Sequence, residues 1–193
     1  MSKVAIVGDP SGTGTFTISA PNGNTDRTLV LPDEAGTIIT TAGVPASAMP
    51  AGSVLQVVSA SSGTQVINNT STYTDTGLTV NITPTSASNK VLIFASVPFQ
   101  IGSNGGSIQA KFNIVRGTTD LVSNLAVLNI SGIVMSANVQ KMLFLDSPNT
   151  TSSTTYKIQF KELYSSNRYG NTAVMPAWNE AQWGVITAME IAG

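Results

Sequence analysis

The acidic side chains are the first place to look for chemistry in this chain, because its 193 residues include no His and no Cys. Those absences remove the commonest general base and the thiolate nucleophile. Two carboxylates about 5–10 Å apart can hydrolyse a glycosidic bond, but no motif pairs any two of the acids. The ten acids are Asp9, Asp26, Asp33, Glu34, Asp75, Asp120, Asp146, Glu162, Glu180 and Glu190. We therefore expect no catalytic residues and no enzyme activity.

A glycine-rich segment near the start has the look of a phosphate-binding loop. Gly8–Gly14 is GDPSGTG, but it lacks the Gly-Lys-Ser/Thr ending of such a loop, and no helical pattern follows it. The turn aspartates do not have the ligand spacing of a Ca²⁺ loop. The sequence therefore predicts neither a cofactor nor a metal site, and it favours a flexible or docking role for this segment.

The loop Tyr164–Gln182 is the best candidate for binding, because it is rich in aromatic and hydrogen-bonding side chains. Aromatic faces stack on sugar rings, and amide and charged groups bond to hydroxyls. The predicted contacts to a ligand or receptor are Arg168, Tyr169, Trp178, Asn179 and Glu180. The alternative is that Trp178 and Trp183 pack beneath the loop or across a subunit interface, where aromatic residues and Arg also concentrate. Trp183 starts a predicted strand and fits the structural role better.

The composition indicates a surface that is polar but almost uncharged. Only 10% of the residues are Asp, Glu, Lys or Arg, and the net charge is −1, whereas average proteins have about 25% charged residues. Such a chain has no basic field for nucleic acid or an anionic membrane. No apolar run approaches the roughly 20 residues of a membrane helix. We expect no nucleic-acid partner and no membrane insertion, whereas weak repulsion between copies favours self-association.

Turn signals and changes of composition divide the chain into four segments. They are a docking tail (1–13), a β-hairpin shaft (14–41), an extended Pro/Gly linker (42–52) and a main domain (53–193). The tail would dock onto another protein through Val4, Ile6 and Val7. The shaft strands flank an Asn-Gly turn, but they carry too few apolar side chains for an isolated hairpin to be stable. We therefore expect neighbouring chains to complete an intertwined β shaft.

The main domain is predicted to be all-β, because period-two alternation recurs and helical periodicity does not. The predicted strands are Val54–Ser59, Thr64–Asn68, Thr76–Thr83, Lys90–Ile101, Ser107–Val115, Leu121–Val122, Asn124–Ser136, Val139–Asp146, Thr154–Leu163 and Trp183–Ala192. In the last strand, Val185, Thr187, Met189 and Ile191 face one way. Two short polar stretches, Asn104-Gly105-Gly106 and Asn149–Thr155, are interpreted as hairpin turns, with a rim of binding tips as the alternative.

Two strands are more apolar than an exposed outer sheet allows. Lys90–Ile101 and Leu125–Val134 must each be covered by a second sheet or by a neighbouring subunit. We therefore predict an antiparallel, jelly-roll-like β-sandwich, and a trimer packed around a threefold axis.

Several motifs together resemble tail-fibre and other virion proteins of marine tailed bacteriophages, including cyanophages. The first is the repeat-like Gly14–Thr41 (GTFTISAPNGNTDRTLVLPDEAGTIITT). The others are Ala51–Val58 (AGSVLQVV), Tyr73–Pro84 (YTDTGLTVNITP), Asn89–Phe94 (NKVLIF), Val115–Thr119 (VRGTT) and Ile186–Ala192 (ITAMEIA). The resemblance covers nearly the whole chain, and it depends on the order of the motifs more than on any one of them.

The resemblance implies a homotrimeric virion protein that is assembled in the bacterial cytoplasm. An N-terminal shaft or anchor would bind other virion proteins of the tail, baseplate or capsid. A jelly-roll head would attach to a glycan or protein of the host surface. The main alternative is a capsid decoration or vertex fibre protein that stabilises the shell, and a polysaccharide-degrading tailspike is a third, less favoured possibility.

Overall fold

A computed structural model describes residues 44–165, 170–174 and 183–193, together with short stretches before residue 29 (10–15, 17, 22–24, 26 and 28). For residues 102–108, 124–135, 164–165 and 170–174 it describes the backbone alone. The chain divides into two compact units, Met1–Ile38 and Ile39–Gly193. In the first unit the chain bends at 22–24, at the predicted Asn-Gly turn. Most residues of the predicted shaft strands, and the docking residues Val4, Ile6 and Val7, lie outside the described residues.

The described part of the second unit contains strands and one short 3-10 helix at Ala46–Ala48, which interrupts the linker that was expected to be fully extended. The strands are β1 (Val54–Ser62), β2 (Val66–Asn68), β3 (Thr74–Ile82), β4 (Lys90–Arg116), β5 (Thr119–Asp146), β6 (Thr154–Ser165), β7 (Gly170–Val174) and β8 (Gly184–Ile191). Within the described ranges no helix is long and apolar enough to cross a membrane.

The 27-residue strand β4 is the central strand of the sheet, and β5 pairs with it along one edge. Along the other edge lie three strands in succession. Strand β8 pairs with Lys90–Ser96, β7 with Phe99–Ser103 and β6 with Ser107–Arg116. A further strand flanks each of these three, with β1 beside β8, β2 beside β7 and β3 beside β6. Every pairing is antiparallel, as predicted for the main domain.

The sheet folds over on itself into a sandwich. Strand β3 contacts both β1 and β8 although it is not hydrogen-bonded to either, so the two ends of the sheet pack face to face. One cluster of buried side chains from both ends fills the space between them. Its largest fully buried members are Tyr156, Phe99, Phe112, Phe160, Leu78, Ile82, Ile93, Ile101, Ile114, Ile158 and Ile186. The all-β antiparallel sandwich is therefore confirmed, whereas the intertwined shaft, the jelly-roll topology and the trimer stay predictions.

A predicted turn in the middle of β4 is wrong. Asn104-Gly105-Gly106 was expected to separate two strands, but the strand runs through it and carries a register shift against β5 between Asn104 and Ser107. One extra residue there makes a β-bulge, a feature that glycine accommodates well. The bulge also changes which residues point into the core. Odd-numbered residues such as Ile101 are buried before it, and even-numbered residues such as Ala110 are buried after it. The three predicted strands between Leu121 and Asp146 are likewise one strand, β5.

The hairpin loop between β4 and β5 and the proline inside β4 are both explained by local backbone geometry. The connection between β4 and β5 is the two-residue loop Gly117-Thr118, and Gly117 has φ +58°, as a hairpin with glycine in first position requires. Pro98 lies inside β4, where a proline would normally remove a ladder hydrogen bond. It is tolerated because β8 pairs only as far as Ser96 and β7 begins at Phe99, so no strand meets that edge at Pro98.

The C-terminal strand β8 presents its faces in a way that the sequence did not reveal. Val185, Thr187, Met189 and Ile191 do share a face, but that face is only partly buried. The core side is formed instead by the residues between them, including Ile186, Ala188 and Glu190. The predicted shared face is therefore confirmed, but the sequence did not show which face is buried, because both carry apolar residues and the buried one includes a carboxylate.

The predicted polar loop Tyr164–Gln182 also needs correction. Strand β6 continues to Ser165, and Gly170–Val174 forms β7 between β2 and β4. Pairing with two neighbours on the sheet compensates for the weak strand propensity of Gly170 and Asn171, because context outweighs propensity in strands.

Glu190 is fully buried and anchors β8 to the segment before β4. Its Oε1 accepts hydrogen bonds from the Thr85 backbone N at 2.6 Å, Thr85 Oγ1 at 2.8 Å and Asn89 Nδ2 at 2.6 Å. Its Oε2 accepts one from Gln56 Nε2 at 2.6 Å. Burial alone would raise the pKa of Glu190, but the hydrogen bonds from Asn89, Gln56 and Thr85 outweigh it and lower the pKa below the ordinary 4.5. The ionised form is therefore the one that the fold stabilises.

Replacement of Glu190 by Gln should lower the free energy of unfolding at pH 7 by about 1.5–3 kcal/mol, because the amide nitrogen repels donors that the carboxylate accepts. Since the folded pKa is depressed, the contribution is present above the unfolded pKa and is lost as pH falls through the folded pKa. Urea denaturation at pH 7 and in acid measures both effects. The exposed control Asp75→Asn should cost under about 1 kcal/mol, and equal stability of Glu190→Gln and wild type at pH 7 would contradict the prediction.

Candidate interaction surfaces

None of the binding residues predicted from the sequence is among the described residues. Arg168, Tyr169, Trp178, Asn179 and Glu180 all lie outside the described residues, as do the docking residues near the N-terminus. The functional surfaces must therefore be sought on the sandwich itself. Three features stand out there: an apolar outer face, a polar outer face and an exposed tryptophan.

The apolar face lies on the outside of strands β1, β8, β4 and β5. Residue pairing places Val57, Met189, Leu92 and Leu145 in one row across the four strands. The next row is Ser59, Thr187, Phe94 and Leu143, in which the hydroxyls of Ser59 and Thr187 lie 3.0 Å apart. We define the apolar face as Val57, Leu92, Phe94, Leu143, Leu145 and Met189.

Four of the six residues of the apolar face are exposed, and Leu92 and Met189 are half-buried. Leu143 is 67% and Val57 58% accessible, and Leu145 and Phe94 are also exposed. Four strands and two rows of side chains give a footprint of roughly 250 Å². Single exposed apolar residues are ordinary. A contiguous patch of this size also occurs on monomers, where the largest patch is often functional, so the apolar face is a candidate interaction site. The two lysines on the same side of the sheet, Lys90 and Lys141, pair with Ile191 and Ser96 at its two ends, so an apolar centre has a charged rim.

The free edge of β5 next to this face is partly blocked. In the described ranges β5 pairs with β4 alone, so its other edge is open to a further strand. The Val139 backbone N donates to Asn138 Oδ1 at 2.7 Å, and Gln140 Nε2 donates to the Lys141 carbonyl at 2.9 Å. These local bonds occupy backbone groups that an added strand would need. A partner at this side would therefore engage the apolar face and not extend the sheet at these residues.

The polar face is formed by the outer sides of β3 and β6. Asp75 Oδ2 lies 3.0 Å from Lys157 Nζ, and Asp75 Oδ1 accepts from Gln159 Nε2 at 2.6 Å. Partial burial raises the pKa of Asp75, but the bonds from Gln159 and Lys157 lower it overall. Lys161 Nζ lies 4.3 Å from the Tyr73 ring centroid. Polar side chains that pair with one another in this way are typical of a face in contact with water.

A partly buried ionic group closes the end of the sandwich where β4, β5 and β6 meet. Arg116 Nη1 contacts both Asp146 oxygens, at 2.9 and 2.8 Å, and the Tyr156 hydroxyl donates to Asp146 Oδ2 at 2.6 Å. Burial and the hydrogen bond to Asp146 raise the pKa of Tyr156 above its ordinary value. Because the hydroxyl, the carboxylate and the guanidinium bond to one another, this group stabilises the strand ends. Within the described ranges no group of three or more acidic residues could hold a metal ion.

Trp183, immediately before β8, is 62% exposed. A Cβ built on Gly63 would lie 3.5 Å from the indole atoms Cδ2 and Cε2 and 3.6 Å from Cε3. The ring therefore packs against the backbone of Gly63 and not into the core. Trp183 was predicted to be structural because it starts a predicted strand. Its position at a strand start does not distinguish an exposed side chain from a buried one.

Comparisons with known proteins give limited likeness. No family model matches the sequence, and no curated protein matches it. Among solved structures, one of infectious bursal disease virus Gx strain has a TM-score of 0.39 at 12% identity, and covers 72% of this chain and 37% of that chain. A VP2 subviral particle of the same virus has 0.36 at 11%, covering 72% and 37%. Dimeric latent PorU from Porphyromonas gingivalis has 0.25 at 8%, covering 74% and 14%.

This chain thus spans little more than a third of the viral chains that it matches. At such TM-scores and identities the likeness carries no conclusion about family or function. The function must be inferred from this chain's own surfaces and from its sequence motifs.

Proposed function

We propose that this protein is a structural component of a tailed-phage virion, a homotrimeric fibre that attaches to the host surface. The observation that carries the proposal is the apolar face, which an isolated domain would leave in water. The phage resemblance of the sequence motifs supplies the class of assembly. The proposal includes no enzymatic step.

The contrast between the two outer faces supports self-association. The polar face is stabilised by pairs such as Asp75 with Lys157, and it needs no partner. The apolar face covers about a third of the 800 Å² that each partner of a standard interface buries, so it fits the centre of an interface with a rim around it. Three copies packed around a threefold axis bury three such faces together.

Attachment by a trimer follows from avidity. Three weak sites on one rigid assembly bind a repetitive host surface much more tightly than one site, because the second and third contacts form at high effective concentration. A capsid decoration protein would instead place the apolar face against the shell. The two roles differ in what the protein does alone in solution, because a decoration protein of that kind would be monomeric there.

Light scattering of the full-length protein should give a mass near three times 20.0 kDa. Leu143→Asp should weaken association at least about 100-fold, because it places an unpaired carboxylate in a desolvated interface. The matched control is Thr79→Asp on the polar face, where Thr79 pairs with Lys157 and the trimer should persist. Because Leu143 is exposed, both variants should keep the stability of the folded domain within about 0.5 kcal/mol. A monomeric wild type would contradict the trimer, and a trimer that tolerates Leu143→Asp would show that the apolar face is not its interface.

Removal of residues 1–43 tests where the main subunit contacts lie. Because the apolar face belongs to β1, β4, β5 and β8, which all lie in the remaining unit, the truncated protein should remain trimeric in light scattering. Dissociation of the truncated protein with its far-ultraviolet circular dichroism unchanged would assign the contacts to the N-terminal segment instead. Unfolding of the truncated protein would show that the domain depends on that segment.

A further inference from the structure

Trp183 is held with one face against the protein and the other face outward. The three indole atoms nearest to the position of a Gly63 Cβ, at 3.5–3.6 Å, include both atoms of the ring fusion. An approach to the ring edge would bring peripheral atoms closest, so Gly63 meets the face of the ring. With 62% of the residue accessible, no described residue covers the opposite face, which is the face offered to a ligand.

The exposure of Trp183 does not mean that the core is too small to bury aromatic side chains. Phe99, Phe112, Phe160 and Tyr156 are all fully buried in the sandwich. Tryptophan is highly buried on average, and its large apolar surface makes exposure costly. A ring that is supported on one side and exposed on the other is suited to stacking.

The surroundings define the chemistry of a ligand. Thr64 and Gln65, which follow Gly63 directly, are exposed and offer a hydroxyl and an amide. No charged residue occurs between Ser59 and Thr74, so this segment offers no partner to an ionic ligand. The electron-rich face of an indole attracts the weakly positive C–H groups of a sugar ring. A cation would also stack on the ring, but it would lack a neighbouring carboxylate in this segment.

We propose that Trp183, supported by Gly63, is a stacking platform for a neutral sugar, with Thr64 and Gln65 as hydrogen-bonding neighbours. The inference rests on the proposed host attachment, and it names the site and the ligand class. It differs from the five loop residues predicted from the sequence.

The test uses the full-length protein in a Trp178→Phe background, because the chain has only two tryptophans and Trp183 then emits alone. The probes are glucose, galactose, mannose and N-acetylglucosamine, with glucuronic acid as the anionic comparison. At least one neutral sugar should change the Trp183 emission, saturating with a Kd on the order of 1 mM, and glucuronic acid should bind more weakly. Unchanged Trp183 emission with all the neutral sugars, or preference for glucuronic acid, would overturn the proposal.

Calorimetry with the best sugar compares variants that fluorescence cannot. Trp183→Ala should weaken binding at least about tenfold, Trp183→Phe should weaken it less, and Thr79→Asp on the polar face should leave it unchanged. Gly63→Val should also weaken binding, because a branched side chain pushes the ring from its support. If Trp183→Ala binds the sugar as wild type does, or if it alters the mass in light scattering, the platform is wrong, and the second result would assign Trp183 to a subunit contact.

These outcomes separate the inference from the proposed function. Adsorption of the protein to bacterial cells and its mass are measured beside sugar binding. A trimer that adsorbs to cells but binds no neutral sugar at Trp183 overturns only the inference. A monomer that binds sugar at Trp183 overturns the trimer and leaves the platform in place.

Discussion

The hydrogen-bonded ladder along β4 is the constraint on which the rest of this structure depends. The strand pairs on both edges over most of its 27 residues, so the positions of β5, β6, β7 and β8 all follow from its path. The extra residue between Asn104 and Ser107 changes which side chains face inward. Both ends of one strand can then contribute to a single core, since a shift of one residue exchanges the two faces of a strand.

Much of the fold could be predicted because several strands alternate cleanly. In β3, Leu78, Val80 and Ile82 are buried as the pattern indicates, and β6 is predicted equally well by its buried Tyr156 and Phe160. The bulge could not be predicted, because the signal of consecutive glycines is shared by bulges and turns. The core face of β8 was missed because its two faces are similarly apolar, and only tertiary contacts show that Glu190 has donors around it.

The candidate sites were less accessible to sequence reasoning. The sequence did show that Lys90–Ile101 is too apolar for an exposed sheet, and it left a second sheet or a neighbouring subunit as the explanation. In the structure the second layer of the sandwich covers the odd residues of this stretch, whereas Phe94 on the other side is exposed. The rows of the apolar face join Val57 to Leu145 and Met189, positions that only strand pairing brings together. Periodicity gives the faces of a strand but not its neighbours.

The buried carboxylate of Glu190 connects stability with the proposed surfaces. Its bonds to Gln56, Thr85 and Asn89 form only when β8 is in its observed register. A slip of one residue would take Glu190 out of that ring of donors and bury Met189 in its place, while removing Met189 from the apolar face. Because both faces of β8 are apolar enough to enter a core, hydrophobicity alone specifies the register weakly. A buried polar group with fixed partners specifies it strongly, since an unsatisfied carboxylate in the core is costly. Glu190 therefore determines which residues of β8 lie on the apolar face.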